Sequence, residues 1–333
     1  MKAILMTAPG GLDVLKLATI AEPVSHGPNQ LLVRVRAAGI NPLDTKIRKQ
    51  HFFYPDNLPA ILGVEGAGVV EQTGPSVTRF HPGDEIYFFS NGLGLEPGAY
   101  AEYTVIHEEH AACKPKTLSM AEAAAIPVAL ITAWEALVDR VALKSGEKVL
   151  IHAGAGGVGH IAVQLARVRG AQVAATVSGK EKAELVKSLG AELSIDYREQ
   201  DFVEEALRWT GGRGVDVVLD TVGGATFCKS FKALRMYGRV ATLLSTPCEL
   251  ADINVARLRN ISVGFVQMTA PSYLNDAEAR RAQTRILENG ASLFEQGKLK
   301  VLLSAVLQLE DASTAHRLVE EGHTSGKVVL QID

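Results

Sequence analysis

The sequence predicts an α/β protein, with a doubly wound parallel sheet in one domain and a smaller, mostly β fold in a second domain. From Lys148 onward, strand-like and helix-like segments alternate regularly, as in parallel sheets with crossover helices. Before about Met120, short strand-like segments are separated by turns rich in Gly and Pro. The length of 333 residues is sufficient for two domains. Together these observations favour two domains of different architecture.

The order of the predicted elements supports this division. In the mostly β part, the strand-like segments are 31–37, 63–71 and 100–105. Two helix-like segments, 121–125 and 131–138, follow, and Pro127 breaks the pattern between them. The predicted strands of the parallel sheet are 149–153, 172–177, 193–196, 215–220, 239–244 and 261–266. Six strands are the complete set of a dinucleotide-binding domain.

The C-terminal part is predicted to return to the first domain. After residue 266 we expect a helix, a strand, a second helix and a terminal strand, at 276–296, 303–309, 312–321 and 327–332. The predicted domains are therefore 1–122 with 267–333, and 123–266.

Composition and charge exclude several classes of partner. The net charge is −3 and the basic residues are spread along the chain, so we expect no nucleic acid or membrane partner. No window approaches the roughly 18 unbroken apolar residues of a membrane span, and no targeting pattern is visible at the N-terminus. Three cysteines are too few and too scattered for a disulfide framework. We expect a cytoplasmic, reduced protein. The cysteines are Cys113, Cys228 and Cys248.

A glycine fingerprint begins the parallel sheet. Residues 148–159 read KVLIHAGAGGVG, so an apolar strand leads into Gly154-x-Gly156-x-x-Gly159 and then into a helical stripe. The first glycine permits a tight turn, the second a close backbone approach to pyrophosphate, and the third close packing of helix and strand. An ordinary glycine-rich turn is the alternative, but the flanking strand and helix favour a dinucleotide site. The candidate residues are Gly154, Ala155, Gly156, Gly157, Val158 and Gly159.

The residues after the second strand indicate which nicotinamide cofactor is bound. An NAD site carries Asp or Glu at this position for the ribose hydroxyls. Here the chain reads Ser178-Gly179-Lys180, with Lys182 just beyond. A hydroxyl and a cation suit the 2′-phosphate of NADPH. The alternative is that both lysines are solvated helix residues.

Several motifs together carry a family resemblance. They are Asn41-Pro-Leu-Asp44, LGVEGAGVV at 62–70, Gly83-Asp84, AIPVALITAWEAL at 125–137 and AGAGGVG at 153–159. With these motifs the chain resembles the zinc-free quinone oxidoreductases, the ζ-crystallin-like branch of the medium-chain dehydrogenase/reductase superfamily. The resemblance covers essentially the whole chain. It implies a Rossmann domain that binds NADPH, a GroES-like substrate domain, and a homodimer formed by pairing of the last Rossmann strand, at 261–266.

The resemblance also implies further cofactor contacts. Lys182 and Tyr197 match a pair that commonly holds the 2′-phosphate in this family. The segment Asp220-Thr-Val-Gly-Gly224 is similar to one that approaches the cofactor after the fourth strand. Later segments resemble those that contact the nicotinamide half. The residues implied in these segments are Val222, Gly223, Leu244, Ser245, Phe265, Val266 and Lys327.

We expect no metal at the catalytic position. Zinc-dependent relatives have Cys and His where this chain has Asn41 and Val64, which cannot replace thiolate and imidazole ligands. The structural zinc lobe is missing as well, since residues 2–112 contain no cysteine. His107, His110 and Cys113 stand at three-residue spacing, but this segment is predicted as a strand end and loop. Exposed polar side chains are therefore favoured there over a zinc site.

Without a Lewis acid, the hydride acceptor must already be electrophilic. Quinones and α,β-unsaturated carbonyls qualify, and the protein then supplies positioning and hydrogen-bond donors. The candidate catalytic residues are Asn41, Tyr54 and Thr132, with Asp44 as an organising residue or, equally, a surface or ribose contact. For Tyr54 the alternative is a half-buried aromatic in a loop. Two other functions stay open: a 2-enoyl thioester reductase, and a structural or RNA-associated protein that binds NADPH.

Overall fold

The structure, a computed structural model, describes residues 1–23, 27–50, 57–89, 97–244 and 246–333. Its strands are β1 Lys2–Met6, β2 Leu15–Thr19, β3 Gln30–Ile40, β4 Ala60–Ile61, β5 Glu65–Thr73, β6 Glu85–Phe89, β7 Tyr103–His107, β8 Ala111–Cys113, β9 Lys148–Ile151, β10 Gln172–Val177, β11 Leu193–Asp196, β12 Val215–Asp220, β13 Leu234–Thr242, β14 Ser262–Phe265, β15 Leu303–Gln308 and β16 Lys327–Gln331. Its helices are α1 Pro42–Gln50, α2 Met120–Ala124, α3 Pro127–Trp134, α4 Gly159–Val168, α5 Lys180–Ser188, α6 Phe202–Trp209, α7 Gly224–Ser230, α8 Leu250–Leu258, α9 Ala270–Tyr273, α10 Ala277–Glu295 and α11 Ala312–Glu321.

The chain folds into two compact units. Unit 1 comprises Met1–Val128, Thr269–Gly297 and Val301–Asp333, and unit 2 comprises Ala129–Met268 with Lys298–Lys300.

Unit 2 is built on a parallel sheet with the strand order β11-β10-β9-β12-β13-β14 among the described residues. The central strands of this sheet are largely buried: β12, for example, is buried at every position, including its two aspartates, Asp216 and Asp220. Such continuous burial is typical of a parallel sheet with helices on both faces. In chain order the strands lie 3-2-1-4-5-6, the order of the doubly wound dinucleotide-binding fold. The predicted α/β class with a Rossmann sheet is confirmed.

Three strands of this sheet have the predicted bounds, and the other three, β9, β13 and β14, end earlier than predicted. β10, β11 and β12 agree with the prediction. β9 ends at Ile151 because the backbone turns at Ala153, which has a φ of 49°. β13 ends at Thr242, whose hydroxyl accepts a hydrogen bond from the amide of Leu244 at 3.2 Å and turns the chain there.

Unit 1 is rich in β-structure, as predicted for the GroES-like part. In the described residues β3 is its central strand, pairing with β5, β7 and β16, within a sheet ordered β15-β16-β3-β5-β6-β8. A smaller sheet has the order β2-β1-β4. β3 carries buried residues along most of its length, because it is covered on both sides by neighbouring strands and helices.

Helix starts follow recognisable sequence signals. Ser119 and Glu122 form a capping box at the beginning of α2, each binding the other's backbone amide. Pro127 is the first residue of α3, a position that proline favours because no helical N–H is needed there. The second helix therefore begins earlier than predicted, and a π-helical segment, Glu135–Arg140, continues it.

One covalent link was not predicted. Cys228 and Cys248 form a disulfide, so the expectation of a fully reduced chain is wrong for this pair, while Cys113 is free and exposed. The sequence alone did not indicate the pairing, because the two residues become neighbours only when α7 and the segment after β13 pack together. In the described part of the chain, no helix is both long and apolar enough to cross a membrane.

Candidate functional site

The glycine fingerprint of unit 2 forms the turn between β9 and α4. A Cβ at Gly154 would lie 2.6 Å from Cβ of Ala175, and one at Gly159 would lie 2.1 Å from the carbonyl oxygen of Ala153. Both distances are too short for a side chain, so packing within the protein requires these two glycines. A Cβ at Gly156 would instead meet, among the described residues, a single atom at 3.2 Å. The space beside Gly156 is therefore left for a ligand to approach the backbone.

The start of α4 suits an anion. Its N-cap residue, Val158, has an alkyl side chain that cannot cap the helix, and in the first turn the amide of His160 donates to the carbonyl oxygen of Gly156 at 3.0 Å. The first amides of a helix have no partners within the helix, and they carry the positive end of the helix dipole. In a glycine-rich turn between a parallel strand and a helix, this arrangement binds phosphate groups. The residues present thus fit a dinucleotide.

The segments after β10 and β11 hold the groups predicted to choose between NADPH and NADH. Asp196, at the end of β11, accepts a hydrogen bond from the amide of Gly179 at 2.9 Å. This acidic group is thereby engaged with the backbone of the Ser178–Gly179 turn. Lys182 is partly buried on α5, and Tyr197 is 55% exposed just after β11. A hydroxyl, a cation and an exposed phenol follow neighbouring strands at the same edge of the sheet.

A buried carboxylate holds the turn after β12. Asp220 is fully buried and accepts hydrogen bonds from the hydroxyl of Thr242 at 2.7 Å and from the amides of Val222 at 3.1 Å and Gly223 at 3.0 Å. The φ of Gly223 is 75°, in the left-handed region that favours glycine. Sequence reasoning identified Val222 and Gly223 but missed that Asp220 positions them. The only signal was an acidic residue at the last position of the strand, directly before the Thr-Val-Gly-Gly segment.

His152, which sequence reasoning also did not identify, is a structural residue behind the glycine turn. Its ring nitrogens lie 3.2 Å from the hydroxyl of Thr176 and 2.9 Å from that of Ser230. Burial lowers the pKa of His152 to about 4, and the charge of Asp220 opposes this effect. The imidazole is therefore neutral near pH 7. It connects β9, β10 and α7 through hydrogen bonds.

Unit 1 contains a buried polar centre made by three neighbouring strands. Asn41 directly follows β3, Glu65 begins β5 and Lys327 begins β16. The register of the sheet brings these three side chains together, because Val328 pairs with Ile40 and Gly66 pairs with Ala38.

Hydrogen bonds connect all three side chains. Oε1 of Glu65 accepts from Nδ2 of Asn41 and from Nζ of Lys327, each at 2.7 Å, and Lys327 also donates to Oδ1 of Asn41. Oε2 of Glu65 accepts from the amide of Val128, in the first turn of α3, at 2.7 Å. A Cβ at Gly39 would lie 2.3 Å from Oε1 of Glu65, so a glycine is required for the carboxylate to fit.

Asp44 supports this centre from α1. It is completely buried, and its Oδ2 accepts a hydrogen bond from the amide of Asn41 at 2.8 Å. Burial raises the pKa of Asp44 to about 7, and the nearby charge of Glu65 raises it further, whereas the Asn41 amide and the charge of Lys327 lower it. The burial removes the alternative of a surface role for Asp44. It supports the organising role, because the bond to Asn41 fixes the start of α1.

The degree of burial separates groups that support the centre from groups that can meet a ligand. Glu65 and Asp44 have no exposed surface, whereas Asn41 and Lys327 are each 4% exposed. An ammonium has three N–H donors, and two of those on Lys327 are directed to Asn41 and Glu65. The centre thus offers two hydrogen-bond donors, the third ammonium proton of Lys327 and the side-chain amide of Asn41. Both are held in fixed geometry and can donate to a carbonyl oxygen.

Other predicted catalytic and cofactor residues are placed as follows. Tyr54 and Ser245 lie outside the described residues. Thr132 is buried on α3 in unit 2, and its catalytic role stays a prediction. Phe265, at the end of β14, is 63% exposed, whereas Val266 after it is buried. Lys327 belongs to unit 1, where it completes the polar centre, and its predicted contact with nicotinamide also stays a prediction.

At His107, His110 and Cys113, the expectation of exposed polar side chains holds for Cys113, whereas the two histidines are partly buried. The two imidazole rings lie 5.4 Å apart at their centroids, and His110 is half-buried. Burial lowers the pKa of His110 to about 2, with further lowering by the charge of Arg280. Within the described ranges, no group of three or more His, Cys, Asp or Glu side chains is placed to hold a metal ion.

Comparison with protein families identifies both parts of the chain. A family model described as an alcohol dehydrogenase GroES-like domain matches residues 27–116, and one described as a zinc-binding dehydrogenase matches residues 189–330. The chain is 32% identical over 329 residues to a quinone oxidoreductase from Pseudomonas aeruginosa, covering 99% of both proteins. It is 40% identical over 249 residues to a 2-methylene-furan-3-one reductase from Solanum lycopersicum, covering 73% of this chain and 62% of that protein.

Solved structures show the same similarity. An NAD-dependent alcohol dehydrogenase matches with a TM-score of 0.91 at 35% identity, covering 100% of both chains. The Escherichia coli quinone oxidoreductase complexed with NADPH matches with a TM-score of 0.86 at 31% identity, covering 99% of this chain and 100% of that one.

Proposed function

Because this chain belongs to the quinone oxidoreductase family of the medium-chain dehydrogenases/reductases, we propose that it is an NADPH-dependent, zinc-independent reductase of quinones or α,β-unsaturated carbonyl compounds. The proposal assigns cofactor binding to residues 123–266 and substrate binding to residues 1–122 with 267–333. The observation that carries it is the buried centre of Asn41, Glu65 and Lys327, where the resemblance places the metal ligands of zinc-dependent relatives.

The chemistry of this centre does not fit zinc, although one matched family is named for it. Zinc in proteins is bound by thiolate, imidazole or carboxylate ligands. Here Asn41 offers an amide and Val64 an alkyl group. The carboxylate of Glu65 is engaged by Lys327, and the carboxyl of Asp44 accepts from the amide of Asn41. A cation would also be repelled by that ammonium. The zinc-independent part of the proposal rests on this set of side chains.

Lys327 and Asn41 are the groups that we assign to the substrate oxygen. NADPH, when bound, supplies a hydride. A conjugated carbonyl that accepts a hydride develops negative charge on its oxygen, and donors held in advance at that position stabilise the charge. Glu65 and Asp44 hold the two donors in place, since they bond Asn41 and Lys327 and have no exposed surface of their own. Tyr54 stays a predicted catalytic residue, either as a proton donor or as a group that orients the substrate.

The preference for NADPH is supported by the groups after β10 and β11. The carboxylate of Asp196 accepts from the amide of Gly179, whereas Ser178, Lys182 and Tyr197 have the chemistry that binds a phosphate. Among structural relatives, the Escherichia coli protein is complexed with NADPH and an alcohol dehydrogenase is NAD-dependent, so the turnover assay compares NADPH with NADH.

A homodimer and a cytoplasmic location complete the proposal. In the described sheet of unit 2, β14 is an edge strand, since β13 alone pairs with it. Its Val263 and Phe265 are exposed apolar residues, and an apolar edge strand is a ready site for pairing with a second copy. The cytoplasmic location is the one expected from the low cysteine content.

Turnover of reduced nicotinamide tests the reaction. The purified protein is mixed with NADPH and, separately, benzoquinone, an alkenal and crotonyl-CoA, and the loss of NADPH absorbance is followed. We expect turnover of the quinone or the alkenal, a slower rate with NADH, and no effect of a metal chelator. Preferred turnover of crotonyl-CoA would instead identify a 2-enoyl thioester reductase. Loss of activity with chelator would contradict zinc independence.

A further inference from the structure

The disulfide between Cys228 and Cys248 joins two elements beside the proposed dinucleotide site. Cys228 is buried on α7, whereas Cys248 is partly exposed between the exposed residues Pro247 and Glu249. The two cysteines are 20 residues apart, and β13 lies between them. The proposed reduction of substrate makes no use of this pair.

Both joined elements follow strands at the carboxyl edge of the sheet in unit 2. α7 follows β12, and the segment Thr246–Glu249 follows β13. Strand order reverses between β9 and β12, and ligands of doubly wound sheets bind outside the carboxyl ends at such a point. The disulfide therefore links α7, the helix that follows the β12 turn, to the segment after β13.

Close contacts connect that segment to the turn after β12. The amide of Gly224 donates to the hydroxyl of Thr246 at 2.9 Å. A Cβ at Gly223 would lie 2.9 Å from Cδ1 of Leu244, so the side chain of Leu244 is packed directly on this turn. Leu244 is in turn held by Thr242, which also bonds Asp220. Cys248 is thus two residues from Thr246, whose hydroxyl holds the turn after β12.

We infer that Cys228 and Cys248 are a thiol–disulfide exchange site, and that their redox state sets the affinity of unit 2 for the dinucleotide. In the disulfide form, a covalent bond holds the segment Thr246–Glu249 against α7. In the dithiol form, the segment keeps only non-covalent contacts such as that between Gly224 and Thr246. The dinucleotide must then order the segment when it binds, which lowers its affinity. The inference rests on the proposed dinucleotide site.

The exchange is a two-electron step between the pair and a dithiol reductant. A thiolate of the reductant attacks Sγ of Cys248, the more exposed of the two residues, and the bond to Cys228 breaks. Cys228 leaves as a thiolate and takes a proton from water. The second thiol of the reductant then attacks the mixed disulfide, which releases Cys248 as a thiol and leaves the reductant as its own disulfide. Oxidation of the pair by a disulfide of the same class is the reverse.

The test compares NADPH binding to the two redox forms. In the variant Cys113→Ser only the pair remains, because the chain has three cysteines. One sample stays oxidised and the other is reduced with dithiothreitol, and intact mass with thiol titration verifies each state. NADPH affinity is then measured by fluorescence titration without substrate. We expect the reduced form to have a Kd about fivefold or more higher, the lower end of ordinary coupling between sites.

Two further measurements make the result specific. The double variant C228S/C248S, in the C113S background, should bind NADPH like the reduced form and show no response to dithiothreitol. Because coupling is reciprocal, saturating NADPH should shift the dithiol–disulfide equilibrium toward the disulfide by the same factor. Far-UV circular dichroism of every form verifies that unit 2 stays folded.

Distinct outcomes separate this inference from the proposed function. Equal, measurable NADPH affinity of both verified redox forms would overturn the inference and leave the cofactor assignment standing. Failure of the two thiols to form a disulfide under oxidising conditions would also overturn it. If neither form binds NADPH, the cofactor assignment fails, and the inference that rests on it fails as well.

Discussion

Lys327 and Glu65 form an ion pair with 2.7 Å between Nζ and Oε1, in which the side chains are 4% and 0% exposed. A pair so deeply buried contributes little net stability over an apolar pair, because both charges lose their hydration. Removal of one partner is costly, since it leaves the other charge buried and unpaired. The position of this pair next to Asn41 fits a centre that places an ammonium beside an amide donor.

The variant Lys327→Met should lose both activity and stability. Loss of one donor to a developing oxyanion typically lowers kcat about 10²-fold or more. Leaving Glu65 buried without its partner should lower the free energy of unfolding by about 3–5 kcal/mol. The measurements are steady-state kinetics with the best quinone and denaturant unfolding. The matched control is Lys16→Met, on an exposed position of β2, which should change neither.

The double variant E65Q/K327M separates the two effects. Without an unpaired charge it should recover much of the stability while kcat stays low. A fall in kcat with unchanged NADPH affinity supports contact with the substrate oxygen. Normal kcat with weakened NADPH binding would instead favour the contact of Lys327 with nicotinamide and count against our assignment.

Asp44 should make the stability of unit 1 depend on pH. Its pKa is raised from 3.8 to about 7 in the folded protein, so between these values the folded state binds more protons than the unfolded state. The stabilisation is complete below about pH 4 and is lost as pH rises through 7. The variant Asp44→Asn keeps an acceptor for the Asn41 amide and stays neutral, so it should flatten this dependence and be more stable at pH 8.

Urea unfolding at pH 5 and pH 8 measures the effect of Asp44→Asn. The control is Asp13→Asn, at an exposed position of the same unit, which should follow the unmodified protein. Equal pH dependence in all three proteins would show that Asp44 does not titrate with a raised pKa.

Two substitutions in the glycine turn should affect different properties, one the binding of NADPH and the other the stability of the fold. Gly156→Ala places a Cβ 3.2 Å from the carbonyl oxygen of Ala153, which is tight but tolerable, and fills the space left for the pyrophosphate. It should weaken NADPH binding about tenfold or more with little change in Tm. Gly159→Ala places a Cβ 2.1 Å from the same oxygen and should lower Tm strongly. Unchanged NADPH affinity in Gly156→Ala would contradict the assigned phosphate position.

The turn at Gly154–Gly159 was predictable from sequence because its function depends on local geometry. Its glycines, the strand before them and the helix after them are consecutive in the chain, and each glycine has a steric reason visible from spacing alone. The same holds for β10, β11 and β12, which are short strand-like segments bounded by turn signals. Parallel order then follows from the regular alternation of strands and helices.

The polar centre of unit 1 could not be predicted in the same way. Lys327 lies 286 residues from Asn41 in sequence, and they meet because β16 pairs with β3 in one particular register. A one-residue shift would turn Lys327 to the other face. No local pattern contains this information. Cys228 and Cys248 were missed for a related reason, since only the packing of α7 on the segment after β13 brings them together.

Lys182 should determine the preference for NADPH over NADH. The variant Lys182→Glu replaces a cation by an anion where we assign the 2′-phosphate, and a charged hydrogen bond is worth about 1.5–3 kcal/mol. The Kd for NADPH should therefore rise about tenfold or more, while the Kd for NADH stays within about twofold. Lys187→Glu, an exposed position on the same helix α5, is the matched control and should affect neither. An equal rise in the Kd values for NADPH and NADH would show that Lys182 contacts a part of the cofactor that the two molecules share.

The exposed edge strand β14 should form the dimer interface. Val263 is 40% exposed on this strand, and a charge there opposes pairing of two identical edges, because the two copies bring like charges close together. Val263→Lys should shift the protein from dimer to monomer in light scattering coupled to size-exclusion chromatography. Val168→Lys is the matched control, since Val168 is 39% exposed at the end of α4, away from the edge strand. A dimer that survives Val263→Lys would exclude pairing through β14, and a monomer in the unmodified protein would exclude the homodimer itself.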